Sequence, residues 1–245
     1  MGLGKLESFL EDHIEGFFNK RFASALEPVE LMKGLEKEIA RQGRGKAEHM
    51  VPNNYIFSLA EADYQRFCAK RVSDELYLWI EKQVILQNYL MIGNLKLDFV
   101  SEPKRMRGTY ALKAIFATDE VNNCEAKMQT MVLERPKFSG GPLNLPTEYK
   151  IASLKVIAGV DKDSYLEIGE RKIYIGRRDK NEFILTDSKA SRLHAWLAYE
   201  NHRHVLYDAQ STNGTYVNDK LVQTCCLKSG DKIVIGSNVL LYEVI

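Results

Sequence analysis

The second half of this 245-residue chain is built from short apolar stretches separated by turn-forming residues. Such stretches, rich in β-branched and aromatic residues, predict strands rather than helices. The predicted strands are Ile151–Ala158, Ser164–Ile168, Lys172–Ile175, Phe183–Leu185, Ala195–Asn201, His204–Asp208, Thr215–Val217, Lys232–Ile235 and Val239–Val244. Many short strands with frequent turns favour an all-β fold in which two sheets pack as a sandwich.

The first half of the chain has a different pattern, in which apolar residues recur at helical spacing. The predicted elements, in chain order, are a helix at 6–18, a helix at 31–39 with Pro28 in its first turn, a strand at 55–59, a helical region at 63–90, and strands at 95–99 and 110–116. In the long helical region, Phe67, Leu76, Ile80 and Val84 are the residues expected to face inward. This order of elements predicts a compact α+β domain.

The stretch between the two halves carries an Asn-Asn pair, a Gly-Gly pair and three prolines, all of which are turn and linker signals. We therefore expect an α+β domain at residues 1–117, a linker at 118–148 and an all-β β-sandwich at 149–245. Such a linker would let the domains move independently, or keep a partner of one domain close to the other.

Composition excludes several classes of protein. The formal net charge of +1 gives the chain no general attraction for nucleic acid or anionic membranes. No apolar run is long enough to span a bilayer, and charged residues interrupt the first 18 positions, unlike a secretory signal. The four cysteines, Cys68, Cys124, Cys225 and Cys226, show neither metal-ligand spacing nor a disulfide framework. We expect a cytoplasmic protein without metal or cofactor.

Three short motifs follow one another in the strand-rich half. They are Gly176-Arg177, then Ser191-Arg192-Leu193-His194, then Ser211-Thr212-Asn213-Gly214-Thr215. Each motif alone is no more than a turn or a chance combination, so the information lies in their order on a background of strands. All three fall at predicted strand ends or in loops, where a rigid sandwich can present a binding site.

The side chains in these motifs suit a phosphate group beside a peptide. Arg177 and Arg192 can each present a planar fork of N–H donors, which matches phosphate geometry. Ser191 adds a short hydroxyl donor, and the Asn213 amide can both donate to and accept from a peptide backbone. The remaining members have structural roles: Gly176 and Gly214 permit positive φ or close chain approach, while His194 and Thr215 support the loops.

The ordered set resembles the forkhead-associated (FHA) domain, a module that binds phosphothreonine peptides, over about residues 149–245. The resemblance implies that Arg177, Ser191 and Arg192 contact phosphate or adjacent peptide. It also implies that Asn213 holds the peptide main chain. A phosphothreonine-dependent adaptor is therefore expected rather than an enzyme.

The N-terminal half also resembles a known domain. The segments that carry the resemblance are Gly4-Lys5-Leu6-Glu7, Glu27-Pro28-Val29-Glu30-Leu31 and Val51-Pro52-Asn53-Asn54-Tyr55. They are similar to the N-terminal domain of bacterial two-domain FHA proteins of the FhaA-like group, which implies a setting in Ser/Thr kinase signalling linked to cell envelope growth or division. The resemblance assigns no reaction to this domain.

The expected partners are phosphothreonine-containing proteins, namely a Ser/Thr kinase or its substrates, and Thr130 in the linker is a candidate internal ligand. A Ser191–His194 hydrolase pair is disfavoured, because the sequence shows no Gly-x-Ser-x-Gly elbow, orienting acid or oxyanion donor. Two alternatives stay open: a phosphate-independent scaffold, and an N-terminal nucleic-acid binder recruited through the FHA domain. The second rests on the basic residues Arg41, Arg44, Lys46, Lys104, Arg105 and Arg107.

Overall fold

The computed structural model describes residues 26–44, 49–117 and 149–245. The predicted helix at 6–18 and the candidate ligand Thr130 lie outside the described residues. Helices and strands fall into two groups, one on each side of residues 118–148. The boundaries at 117 and 149 stay predictions.

The N-terminal group is a three-stranded sheet covered by helices. Its elements are α1 (Pro28–Arg44), β1 (Asn54–Leu59), α2 (Glu61–Phe67), α3 (Lys70–Leu86), β2 (Lys96–Ser101) and β3 (Tyr110–Ile115). The central strand β1 runs parallel to β2 and antiparallel to β3. The predicted helical region at 63–90 is two helices, since the chain leaves the helical conformation at Ala69, where ψ is 129°.

The core of the N-terminal domain forms where α1, α2 and α3 meet one face of the sheet. Helix α1 contributes Leu31, Met32, Leu35 and Ile39, which are fully or almost fully buried and share one helical stripe. The four inward residues predicted for α2 and α3 are all buried: Phe67, Leu76, Ile80 and Val84. The helical spacing in the sequence therefore identified this core correctly.

The C-terminal group contains eleven strands in two sheets. They are β4 (Ala152–Ala158), β5 (Tyr165–Ile168), β6 (Ile173–Gly176), β7 (Phe183–Ile184), β8 (Ala195–Glu200), β9 (Arg203–Asp208), β10 (Thr215–Val217), β11 (Lys220–Val222), β12 (Thr224–Cys226), β13 (Lys232–Ile235) and β14 (Asn238–Val244). One sheet has the order β11-β10-β13-β14-β4-β5 and the other the order β12-β9-β8-β6-β7. All pairings are antiparallel except β6 with β7, so the predicted β-sandwich is confirmed.

Every predicted strand of the sandwich is present, and two short strands were missed. Strand β11 follows β10 through Asn218 and Asp219, whose φ angles of 49° and 65° form a tight hairpin turn. Strand β12 has only Cys225 half-buried between exposed neighbours, so its alternation is too short to be recognised. Cys225 packs against the edge of the core, and Cys226 is exposed.

The strand directions define two ends of the sandwich. The connections β6–β7, β7–β8 and β9–β10 meet at one end, here called the loop end. The β8–β9 turn lies at the opposite end, where the N-terminal domain makes contact, and is here called the docking end. At the docking end, the rings of Tyr77 on α3 and Tyr149 are 5.8 Å apart. Among the described residues, no helix is both long and apolar enough to cross a membrane.

Candidate functional site

The four residues predicted to bind a phosphopeptide all lie at the loop end. Arg177 follows β6 directly, Ser191 and Arg192 precede β8, and Asn213 precedes β10. Three separate connections therefore supply them, and hydrogen bonds between those connections fix their spacing.

Backbone hydrogen bonds join the first two connections. The Arg177 N–H donates to the Ser191 carbonyl at 3.0 Å, and the Arg178 N–H donates to the Arg192 carbonyl at the same distance. Gly176 makes this approach feasible, because a Cβ there would lie 2.7 Å from the Ser191 carbonyl oxygen. Its φ of 151° is also one that side chains rarely adopt. The expected structural role of Gly176 thus has a steric basis.

Polar contacts tie the third connection to the second. The backbone N–H of Thr212 donates to Ser191 Oγ at 3.1 Å. The Asn213 side chain donates to the Lys189 carbonyl at 2.7 Å. Because one N–H of the Asn213 amide is used inside the protein, its oxygen and its second N–H are the groups available to a ligand.

His194 braces the same loops from beneath. It is 0% exposed, its Nδ1 accepts the Ser191 backbone N–H at 3.0 Å, and its Nε2 lies 3.2 Å from the Gly214 carbonyl. One donor neighbour and one acceptor neighbour fix a neutral ring with the hydrogen on Nε2. Burial lowers the pKa of His194 despite the Gly214 carbonyl and the nearby carboxylate of Asp208, which act to raise it.

Asp208 holds the third connection, and the sequence analysis missed it. Its carboxylate accepts the Ser211 backbone N–H at 2.9 Å, the Ser211 hydroxyl at 2.6 Å and the Thr215 hydroxyl at 2.6 Å. Burial alone would raise the pKa of Asp208, but these hydrogen bonds outweigh it and lower the pKa. The signal available in the sequence was an aspartate three residues before a serine, which is typical of a side-chain-capped turn.

A second missed residue sets the position of Arg192. Asn181 is buried and donates from its side chain to the Arg192 carbonyl at 2.9 Å. The side chains of Arg177, Arg178 and Arg192 are exposed, and no ion pair to another described residue occupies them. The loop end therefore offers cationic groups to solvent while its backbone is held in place.

The other candidate sites receive less support from the structure. Arg41 pairs with Glu38 at 2.6 Å, and Arg105 pairs with Glu102 at 2.6 Å, so acids neutralise two members of the proposed nucleic-acid surface. Lys46 lies outside the described residues. Within the described ranges, no group of three histidine, cysteine or acidic side chains could hold a metal ion.

Comparison with known proteins matches two family models to this chain. The first, "FhaA, N-terminal domain", covers residues 3–113, and the second, "FHA domain", covers residues 173–236. The three motifs of the loop end fall within the second match.

Individual relatives match the C-terminal region. The glycogen accumulation regulator GarA of Mycobacterium tuberculosis is 33% identical over 91 residues, which are 37% of this chain and 56% of that protein. The FHA domain-containing protein FhaB of Mycolicibacterium smegmatis is 33% identical over 88 residues, or 36% and 57% of the two chains. The chain thus spans little more than half the length of these curated relatives.

Among solved structures, the FhaA FHA domain in complex with the intracellular domain of Rv3910 is 30% identical. The match covers 38% of this chain and 99% of that one, with a TM-score of 0.35. The two family models occur in the order that the sequence predicted. The chain therefore contains an FhaA N-terminal domain followed by an FHA domain.

Proposed function

We propose that this protein is a phosphothreonine-peptide-binding adaptor whose binding site is the loop end of the sandwich. One observation carries the proposal: Arg177, Ser191 and Asn213 come from three different connections, and direct hydrogen bonds join these connections to one another. A site held in this way loses little conformational freedom when a ligand binds, which favours affinity.

The charges at the loop end suit a phosphate group. A phosphothreonine carries close to two negative charges and three acceptor oxygens at neutral pH. Arg177 and Arg192 are exposed and free of acidic partners among the described residues, so binding phosphate breaks no internal ion pair. Their planar N–H forks can form charge-assisted hydrogen bonds to it.

Ser191 is oriented to donate to the same ligand. Its oxygen accepts the Thr212 backbone N–H at 3.1 Å, and its own hydrogen has only a long contact of 3.4 Å to the Thr212 hydroxyl. A phosphate oxygen can replace that weak contact with a shorter, charge-assisted one. Asn213 can then hold the peptide main chain through its free amide oxygen and its second N–H.

The geometry supports binding rather than a reaction. His194 Nδ1 accepts the Ser191 backbone N–H, and its Nε2 contacts the Gly214 carbonyl. Neither ring nitrogen is therefore hydrogen-bonded to the Ser191 hydroxyl. A nucleophile requires a base within hydrogen-bond reach, which His194 does not provide in this arrangement. We therefore propose that the protein is not an enzyme.

We extend the proposal to the setting in which such an adaptor acts. The partners are phosphothreonine-containing proteins, either a Ser/Thr kinase or its substrates, in bacterial signalling linked to cell envelope growth or division. The protein would act in the cytoplasm, where such kinases phosphorylate their targets. The name of GarA as a regulator supports a role in regulation without specifying the partner.

The proposal is tested by calorimetric titration with a phosphothreonine peptide selected from a library. Arg177→Ala or Ser191→Ala should each remove about 1.5–3 kcal/mol of binding free energy, or roughly 10- to 100-fold in affinity. Lys228→Ala, which removes a lysine charge at the docking end, is the control and should leave binding unchanged. Phosphoserine and unphosphorylated versions of the peptide test the choice of ligand.

Equal binding of the unphosphorylated peptide would contradict the proposal. It would favour the alternative of a phosphate-independent scaffold, in which the three motifs serve only to shape the loops.

A further inference from the structure

A histidine of the sandwich is buried against the N-terminal domain at the docking end. His202, in the β8–β9 turn, is 9% exposed, and Glu81 on α3 is 1% exposed. His202 Nδ1 lies 2.8 and 2.9 Å from the two Glu81 carboxylate oxygens. Its Nε2 lies 2.7 Å from the Gly93 carbonyl. Both ring nitrogens thus face acceptors that belong to the other domain.

Hydrogen counting fixes the protonation of this pair. A carbonyl oxygen can only accept, so Nε2 must carry a hydrogen. The contact between Nδ1 and the carboxylate needs a second hydrogen. Because a carboxyl group is ordinarily a stronger acid than an imidazolium, this hydrogen belongs on the ring, which is then an imidazolium beside the Glu81 carboxylate. Without that hydrogen, Nδ1 and the carboxylate would be two acceptors in contact, and a buried anion would lack its counter-charge.

We propose that the contact between α3 and the β8–β9 turn is a proton-dependent clamp, which holds the two domains together while His202 is an imidazolium and releases them when it is deprotonated. The clamp lies at the docking end, away from the loop end. It therefore acts on the relative position of the domains and does not depend on the proposed phosphopeptide site.

The two phenols beside Glu81 keep their protonation in the neutral range. Tyr77 on α3 and Tyr199 on β8 both approach Glu81, and the Tyr199 hydroxyl donates to its carboxylate. Burial, followed by the negative charge of Glu81, raises the pKa of both phenols, so they stay protonated donors. Tyr89, in the segment after α3, accepts a hydrogen bond from the sandwich through its backbone carbonyl.

Further ionisable side chains of the sandwich lie near the clamp. Glu170, in the β5–β6 turn, has its pKa raised by burial and by Glu81, while His202 acts to lower it. Burial lowers the pKa of His204 on β9 to about 4, so it is neutral. Arg203 is permanently charged, and its guanidinium donates to the Tyr89 carbonyl at 3.0 Å and to Asn88 Oδ1 at 3.1 Å. The contacts of Arg203 therefore support the clamp with a charge that does not change near neutral pH.

The direction of the pH dependence follows from His202. Burial acts to lower its pKa, but the hydrogen bond and charge of Glu81, with the Gly93 carbonyl and Glu170, raise it above the ordinary value of 6.5. A raised pKa in the docked state means that the stabilisation is complete below about pH 6.5 and is lost as the pH rises through the docked value. We therefore expect the domains to separate on the alkaline side of neutrality.

Small-angle X-ray scattering of the full chain between about pH 6 and 9.5 tests this inference. The radius of gyration should increase with pH in the natural protein. His202→Gln cannot change its charge, so its radius should not depend on pH. Glu81→Gln removes the carboxylate that favours the imidazolium, so its transition should move to lower pH. Glu102→Gln, which removes a carboxylate from the N-terminal domain outside the clamp, should behave as the natural protein does.

Two results would overturn the inference. One is a radius of gyration that is the same across this pH range in the natural protein. The other is an unchanged pH transition in His202→Gln with native circular dichroism. Phosphopeptide affinity measured on the same samples tests the proposed function independently of the clamp. Because the clamp lies away from the loop end, His202→Gln should bind the phosphopeptide with an affinity similar to that of the natural protein.

Discussion

The two ends of the β-sandwich use charged side chains in opposite ways. At the loop end, Arg177 and Arg192 are exposed and have no acidic partner among the described residues. At the docking end, Glu81 and His202 are buried and hydrogen-bonded to each other across the domain boundary. The contrast indicates that charges left without an internal partner are available to a ligand, whereas those with one hold the molecule together.

Three histidines of the same sandwich show how neighbours set protonation. His194 and His204 each have one donor neighbour and one acceptor neighbour, so each fits a neutral ring. His202 has acceptors on both sides and fits a charged ring. Burial is common to all three, so the hydrogen-bond partners decide the difference.

The largest effect is expected from Gly176→Ala, which disrupts the backbone of the loop end. Gly176→Ala forces a Cβ against the carbonyl oxygens of Ser191 and Arg192, and it also demands an unfavourable φ. We expect a loss of about 1–3 kcal/mol in the free energy of unfolding, accompanied by loss of phosphopeptide binding. Urea unfolding and calorimetric titration measure the two quantities.

Gly230→Ala is the matched control for that substitution. Gly230 has a φ of 96°, but nothing lies within 4 Å of a Cβ added there. The substitution at Gly230 therefore measures the cost of the backbone conformation without the cost of a steric clash. It should cost less stability and leave phosphopeptide binding intact. Equal effects at the two glycines would contradict the role assigned to the close approach at Gly176.

An effect of comparable size is expected at Asp208. Asp208→Ala removes the acceptor of three hydrogen bonds from Ser211 and Thr215 and should weaken phosphopeptide binding by releasing the third connection. Loss of hydrogen bonds to a charged group should cost on the order of 1.5–3 kcal/mol of stability. Asp231→Ala, which removes an acceptor of the Lys228 N–H and the Asn218 amide away from the loop end, should destabilise without changing affinity.

Acidification is expected to destabilise the protein through His204. The folded-state pKa of His204 is lowered to about 4 by burial, so its stabilisation is present above pH 6.5 and lost as the pH falls toward 4. At pH 5 that loss should be about 2 kcal/mol. His204→Gln can keep both contacts, to the Tyr242 hydroxyl and the Gly169 carbonyl, and should unfold with a smaller difference between pH 7.5 and pH 5. An unchanged difference in urea unfolding would contradict the assignment.

The smallest expected effect is the change in the free energy of unfolding caused by Arg177→Ala. An exposed side chain without an internal partner should change the free energy of unfolding by less than about 0.5 kcal/mol. The same substitution should strongly weaken phosphopeptide binding, so affinity and stability are expected to separate at this residue. Parallel losses of both in urea unfolding and calorimetry would mean that Arg177 is part of the framework.

The sequence was sufficient wherever a short-range pattern carried the information. The stripe from Leu31 to Ile39 predicted α1 and its buried face. The many short strands predicted the sandwich, and the order of three motifs predicted the FHA domain. The break between α2 and α3 escaped notice because Cys68 and Ala69 are not turn-forming residues. Strand β12 was missed because three residues are too few to show alternation.

Long-range contacts were beyond the reach of a single sequence. Glu81 and His202 are 121 positions apart, and neither lies in a motif, so nothing local indicated that they meet. Asp208 and Asn181 act on the loop end through hydrogen bonds to other loops, which spacing alone does not reveal. The motifs therefore indicated the residues proposed to contact a ligand, together with Gly176 and His194 as their support, but they gave no sign of Asp208 and Asn181.

Binding of a phosphothreonine peptide at the loop end is tested by a map of backbone amide chemical shifts. On titration with the phosphopeptide, the amides around Arg177, Ser191, Arg192 and Asn213 should shift, while those around His202 stay in place. The unphosphorylated peptide should cause no such change. Shifts centred on the docking end, or the same shifts with and without phosphate, would contradict the claim.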